Sequence, residues 1–305
     1  MDNYKLIERL NRIVRYLKDY PGISKRELLA KLAESDREEI TIRTLERDIK
    51  NLRERFYLEI NYNRAKNGYF LNPEFQHDVD EWIRFMEFAE LGQFFRSGLT
   101  DFKSFGKLVQ LHQTSFFLGI ELLKPIVLAI RHKQNIQFLH INYWEETEKP
   151  YTIGPLMIRE YLNRWYVIGV PQGKKEIRTF GLDRIKELQT AGSMEIKTND
   201  FEKQLEQFNK IVGLNFNAGD GKLKIISLRV YYKHLKYLQS LPLHHSQKID
   251  WAPGETHGTV KYHLIPNYEF KVQILKMGNL GEVISPAELR QEIKQMLKET
   301  LRFYQ

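Results

Sequence analysis

A chain of 305 residues is too long for one ordinary core, so two or three domains are expected. With 42% apolar and 28% charged residues it has the balance of a folded protein, and the lack of cysteine excludes disulfide staples, thiolate zinc sites and cysteine nucleophiles. No run approaches the roughly 20 apolar residues that cross a bilayer, while the formal charge of +8 favours a polyanionic partner.

Helical spacing of Leu6, Leu10, Ile13, Val14 and Leu17 predicts a first helix over about 5–18, stopped by Tyr20-Pro21-Gly22. Ser24-Lys25-Arg26-Glu27 reads as a capping box that opens a second helix to about Ala33. Thr41 is the N-cap of a third, reaching about Arg55, with Ile42, Leu45, Ile49 and Leu52 as its buried stripe. Two short alternating runs follow, Leu58–Tyr62 and Tyr69–Leu71, joined by a turn that ends in Asn67-Gly68. Three helices and a hairpin make residues 1–72 a winged helix-turn-helix.

Residues 73–121 form a helical linker, helical from Val79 and rich in aromatics: Trp82, Phe85, Phe88, Phe94, Phe95, Phe102, Phe105, Phe116 and Phe117. So many aromatics on a small segment need a neighbour, and homodimerisation is preferred over packing within the chain. A helix over Leu123–His132 then gives way to alternating strands at 136–143, 151–159, 164–170 and 176–182. That spacing indicates a small antiparallel barrel or sandwich over 122–198. Residues 199–221 are a linker holding a polar helix near 200–208. The segment 222–305 starts with a strand at 223–230 and a helix at 232–241. Strands at 258–265 and 268–276 come next, then a helix opened by the capping box Ser285-Pro286-Ala287-Glu288. The order β-α-β-β-α suggests a ferredoxin-like domain. The fold class is thus α+β, multidomain.

The third helix carries the clearest functional pattern. Arg43, Arg47 and Lys50 fall at i, i+4 and i+7, one stripe opposite the apolar one. A solvated face with Glu46 paired to Lys50 or Arg43 would be ordinary for an isolated helix. Its position after a short capped helix, and before a hairpin tipped by Arg64 and Lys66, favours DNA binding instead. Residues 1–72 hold 16 Lys and Arg against 12 Asp and Glu, so position rather than bulk charge decides this. A second constellation is Asn163–Gly169 with Arg178–Ile185. Tyr166, Arg178 and Arg184 suit a stacked and clamped anion, but spacing alone fits better a barrel core with Trp165 buried and the arginines paired to Glu176 and Asp183. Catalytic patterns are thin. His234, His244, His245, His257 and His263 lack metal-site spacing. Glu145, Glu146 and Glu148 read as a solvated run in a loop, and Gly219-Asp220-Gly221 precedes a strand rather than a phosphate-binding helix.

Over nearly its full length the chain resembles the WYL-domain family of bacterial transcriptional regulators. Arg43-Thr44-Leu45-Glu46-Arg47-Asp48-Ile49-Lys50-Asn51-Leu52 is similar to the family's recognition helix, and Trp165-Tyr166-Val167 stands where the family has Trp-Tyr-Leu. Arg178-Thr179-Phe180 with Asp183-Arg184-Ile185 is similar to the motif that follows, and the last segment resembles the usual C-terminal extension. The chain departs from the pattern at Val167, and at Tyr151 and Thr152, where a basic residue often precedes the barrel proline, here Pro155. The resemblance implies an Sm-like barrel that senses a nucleotide or nucleic-acid fragment. Tyr166, Arg178 and Arg184 would be its ligand residues, with Tyr143 and His140 as weaker members.

The expected protein is a cytoplasmic homodimeric transcription factor, a repressor, that binds double-stranded DNA at a palindromic operator. Arg43, Thr44, Arg47 and Asn51 are the candidates for base edges; Lys50, Arg64 and Lys66 join the phosphate contacts. A nucleotide or oligonucleotide effector would control it, with no metal, cofactor, enzymatic activity or membrane partner. The alternative is an RNA-binding adaptor whose barrel holds single strands and whose helix-turn-helix contacts protein.

Overall fold

The computed structural model describes residues 3–36, 40–98, 108–109, 118–215 and 221–305. The chain divides into two compact units, Met1–Leu111 and His112–Gln305.

The first unit holds helices α1 (Asn3–Asp19), α2 (Lys25–Asp36) and α3 (Ile42–Arg55), the hairpin β1 (Ile60–Asn63) and β2 (Gly68–Leu71), and helix α4 (Gln76–Gly98). Both predicted caps form. The Ser24 amide donates to the Glu27 carboxylate at 2.9 Å while the Glu27 amide donates to Ser24 Oγ at 3.2 Å. Thr41 Oγ1 accepts from the Thr44 amide at 3.2 Å. The helices bury Leu10, Ile13, Val14, Leu17, Leu28, Leu32, Leu45, Ile49 and Leu52 in one core. Ile42, expected in the α3 stripe, is 56% exposed; the buried row is Leu45, Asp48, Ile49 and Leu52, and Ile42 stands before it at the first residue of the helix.

The hairpin is tied to the α1–α2 turn. The Gly22 amide donates to the Tyr69 carbonyl at 2.8 Å and the Tyr69 amide to the Ile23 carbonyl at 2.9 Å. Gly68 permits this approach, because a Cβ there would lie 2.0 Å from the Gly22 carbonyl oxygen. Asn67, at φ 49°, takes the left-handed turn position that asparagine tolerates. Along α4, Val79, Trp82, Ile83 and Met86 join the same core, with Phe56 edge-on to Trp82 at 5.8 Å. Phe85, Phe88 and Phe94 are exposed on its other side. The expected aromatics Phe102, Phe105, Phe116 and Phe117 lie outside the described residues.

The second unit opens with α5 (Leu123–Arg131), followed by β3 (Gln134–Asn142), β4 (Thr147–Tyr161), β5 (Arg164–Pro171), β6 (Arg178–Gly181) and β7 (Ile185–Ser193). These strands form one antiparallel sheet in the order β6-β5-β4-β3-β7. Its edge strands, β6 and β7, are consecutive in the chain and separated only by the 3-10 turn Leu182–Arg184. Flat, four strand spacings of about 4.8 Å would hold those edges roughly 19 Å apart; three residues of 3-10 turn cover about 6 Å. The sheet must therefore curl until its edges meet at this turn, which makes it a small barrel. Ile136, Phe138, Ile153, Val167, Phe180 and Ile185 fill it, closed by Ile126 and Ala129 of α5. The strand β7 is an addition to the four expected.

The expected linker over 199–221 opens with short helical turns that span 198–210 and pack against the barrel, with Phe201, Phe208 and Ile211 buried beside Leu156, Ile168 and Val170. The remainder comprises β8 (Lys224–Tyr231), α6 (Tyr232–Ser240), β9 (Lys248–Asp250), β10 (His257–Leu264), α7 (Tyr268–Lys276), β11 (Gly281–Ser285) and α8 (Ala287–Leu301). All four strands pair antiparallel in the order β11-β8-β10-β9. Residues 268–276 are thus a helix, not the expected strand. Asn267 Oδ1 accepts from the Phe270 amide at 3.0 Å and starts it, and Phe270 and Ile274 fill the core. The capping box at Ser285 also fails: Pro286 occupies the N-cap and no side chain caps α8. Among the described residues, no helix is long and apolar enough to cross a membrane.

Candidate functional site

The α3 surface and the hairpin tip form the first candidate site. With Leu45, Asp48, Ile49 and Leu52 turned inward, Arg43, Arg47 and Lys50 are exposed together. Arg64 and Lys66 are exposed at the tip, where the Lys66 ammonium lies 5.6 Å from the centre of the Phe70 ring. Glu46 turns to Lys25 of α2, not to Lys50 or Arg43 as a simple solvated face would have it, and Lys50 lies 3.8 Å from Glu54. Glu46 stays half-exposed between Arg43 and Arg47, but its charge is taken up by Lys25 and not by the arginine stripe. Thr44, half-buried, spends its hydroxyl on Thr41 at 3.0 Å, so it serves the cap; Asn51 is half-buried beside the stripe. Behind this surface, Arg9 Nε donates to the fully buried Asp48 at 2.6 Å. Arg53 Nε donates to the Ile60 carbonyl at 2.8 Å and fixes the first strand against the helix.

The second site is a cavity of about 720 Å³ in the second unit. Of the residues singled out from sequence, His140, Tyr166, Arg178 and Arg184 line it. Tyr143 does not; it is 57% exposed beside the mouth, its ring centre 5.6 Å from the Arg184 guanidinium. Sequence reasoning missed Lys149, Tyr151 and Phe180. Lys149 and Tyr151 stand two apart on β4, opposite His140 and Phe138 on β3, so strand alternation turns all four toward one face. Phe180 packs edge-on to Tyr151 at 4.9 Å and to His140 and Phe138 at 5.3 Å each. The result is an aromatic floor under a cationic rim.

The cations differ in how they are held. Lys149 donates to Glu145 at 2.6 Å, a contact that raises its pKa. Arg184 Nε lies 3.9 Å from Asp183 Oδ1, which is beyond hydrogen-bonding reach, and both atoms are buried without partners among the described residues. Arg164 binds the other oxygen of Asp183 at 3.3 Å. Arg178 is exposed, and no carboxylate pairs with it among the described residues; the pairing with Glu176 that the sequence allowed does not form. Burial, helped by the Arg184 charge, lowers the His140 pKa, so a neutral imidazole faces the cavity with Nε2 unpartnered. Burial likewise raises the Tyr166 pKa and keeps its hydroxyl protonated. Stacking surfaces, unspent donors and excess positive charge suit an aromatic anion.

Gly181 makes room for this arrangement. A Cβ there would lie 2.5 Å from Asp183 Oδ1 and 2.9 Å from Arg184 Nε. Its backbone, at φ −67° and ψ 129°, is open to any residue, so the collision falls on the two side chains alone. Gly181→Ala is expected to push Arg184 out of place, so that a nucleotide used as an anionic aromatic probe of the cavity binds about tenfold more weakly than to wild type, the loss of one charge-assisted contact. The thermal midpoint should move by only a few degrees; calorimetric titration beside a thermal melt checks both.

Other titratable clusters are structural. His244 is buried between Ser246 Oγ at 2.8 Å and the Asn209 carbonyl at 3.0 Å, and burial lowers its pKa to about 4. Among the described residues, no three acidic or histidine side chains gather to hold a metal.

Residues 121–190 match the WYL domain family, and residues 225–301 match the WCX domain family. No curated protein matches the chain. Among solved structures it is similar to proteasome accessory factor B/C (PafBC) of Arthrobacter aurescens, at 18% identity and a TM-score of 0.31, covering 94% of this chain and 45% of that one. It is also similar to a CRISPR Cas-related protein, at 13% identity and a TM-score of 0.39, covering 99% of this chain and 85% of that one. The chain thus spans less than half the length of the PafBC chain.

Proposed function

We propose that this chain, which carries a WYL domain followed by a WCX domain, is a transcriptional repressor that binds double-stranded DNA as a homodimer under the control of a nucleotide or oligonucleotide. In this reading residues 1–72 are a winged helix-turn-helix, and the four-stranded sheet with its helices is a ferredoxin-like domain. One observation carries the DNA reading: the burial of Leu45, Asp48, Ile49 and Leu52 leaves Arg43, Arg47 and Lys50 exposed in one row, ahead of a hairpin tipped by Arg64 and Lys66. A helix presenting arginines fits the major groove, where guanidinium groups meet guanine edges. Exposed Ile42 suits a thymine methyl at the same edge.

Dimerisation would run through the outer face of α4, where Phe85 and Leu91 are exposed. The paired α3 helices would then enter successive major grooves roughly 34 Å apart. A ligand in the barrel cavity controls binding by favouring one dimer geometry over another.

Selection of bound fragments from genomic DNA, followed by anisotropy titration of the selected duplex, tests this. Lys50→Ala and Lys66→Ala should each flatten the dependence of log K on log salt by about one unit, while Arg47→Ala should cost about 1–3 kcal/mol and relax specificity at one base pair. A protein that prefers no duplex over single-stranded RNA is not this regulator.

A further inference from the structure

Trp144 is 95% exposed in the turn between β3 and β4. A single exposed apolar residue is ordinary on a protein surface; what sets this one apart is its place. The turn is hydrogen-bonded to two residues of the cavity wall and in ring–cation contact with a third. The amides of Trp144 and Glu145 both donate to Asn142 Oδ1, at 3.0 and 3.3 Å, and Asn142 lines the cavity. Glu145 holds Lys149, and the neighbouring Tyr143 ring faces Arg184. The indole is therefore carried on a hydrogen-bonded turn that adjoins the wall of a site lined by aromatics and cations.

We propose that Trp144 is a base-stacking position outside the cavity, so that the effector is a single-stranded oligonucleotide with one end in the cavity and a following base on the indole. This rests on the reading that the cavity takes a nucleotide. Its volume of about 720 Å³ falls within the range of roughly 300–1,000 Å³ for small-molecule sites, enough for the end of a strand and not its length. A longer ligand has to leave over the rim. The turn's own charges favour a base there over a phosphate: Glu145 is paired with Lys149 and Glu148 with Lys186 at 2.7 Å, while Glu146 is exposed and repels a backbone that runs along the turn. An indole offers a π-face to any base, which makes the contact tolerant of sequence.

The test is calorimetric titration of the full chain with thymidine monophosphate, and with oligothymidylate and oligouridylate of two to eight nucleotides. The expected result is that affinity rises from monomer to oligomer in at least one of the two series. Trp144→Ala should then lose about tenfold, one stacked base, for the oligomers while leaving the mononucleotide unchanged, and Trp144→Tyr should keep most of the gain. Equal oligomer binding by wild type and Trp144→Ala overturns the proposal. So does a parallel loss for the mononucleotide, or a change in oligomeric state alone, which would make Trp144 a protein contact. If neither monomer nor oligomer binds the wild-type chain, the cavity reading itself falls, and this inference with it.

Discussion

Asp48→Leu is expected to destabilise the N-terminal unit by about 3–5 kcal/mol, because it strands a buried guanidinium. Arg9 is 7% exposed and Asp48 fully buried, and the 2.6 Å bond between them joins α1 to α3 across 39 residues of sequence. Removing the carboxylate leaves Arg9 without an ion-pair partner among the described residues, where its Nη2 already lacks a hydrogen-bond partner. The double variant Arg9→Met/Asp48→Leu should recover most of that loss, since apolar residues of similar volume often replace a buried ion pair without cost. Calorimetric unfolding of the full chain, following the transition that belongs to this unit, reads both effects. A single variant as stable as wild type would show that the pair contributes nothing. Asp48 also lies between Arg47 and Ile49 in the helix proposed to meet DNA, so the single variant should lose duplex affinity through unfolding and the double variant should regain it.

That pair shows where sequence reading stops. The starts of α2 and α3 were legible because their caps are local: Ser24 and Glu27 bond each other, and Thr41 bonds the amide three residues on. Asp48 was legible only as a member of a motif, since its partner stands far away on α1. Residues 268–276 misled for a different reason. Tyr268, Phe270, Val272 and Ile274 alternate as a strand would, yet Phe270 and Ile274 also lie one helical turn apart. The deciding signal was Asn267, whose side-chain oxygen caps the helix while its amide nitrogen donates to the Val212 and Asn215 carbonyls at 2.7 and 2.8 Å.

The cavity was half legible. Tyr166, Arg178 and Arg184, with His140 as a weaker member, came from the family resemblance. Lys149 was hidden because residues 145–148 resemble a solvated loop. In the fold β4 begins at Thr147, and alternation from Tyr151 turns Lys149 to the cavity. Lys149 therefore brings a basic residue to the cavity from outside the family motif, and among the described residues the lining holds three cations: Lys149, Arg178 and Arg184.

Of those three, Arg178 should matter most to an anion. Lys149 is engaged by Glu145, and Arg184 lies close to Asp183 and under the Tyr143 ring. Arg178 has no carboxylate within pairing distance among the described residues, so its charge is not offset locally. Arg178→Glu replaces attraction with repulsion at the rim and should lower nucleotide affinity by about 30-fold or more, the equivalent of about 2 kcal/mol. Because Arg178 is exposed at the start of β6, the barrel should unfold at an unchanged temperature. Duplex affinity measured without effector should stay within about twofold of wild type, a difference under 0.5 kcal/mol, while the response to added nucleotide disappears. Anisotropy titrations of duplex with and without effector separate the two properties. A folded Arg178→Glu protein that no longer bound duplex would place the barrel in DNA recognition itself and end the division between a reading helix and a sensing cavity.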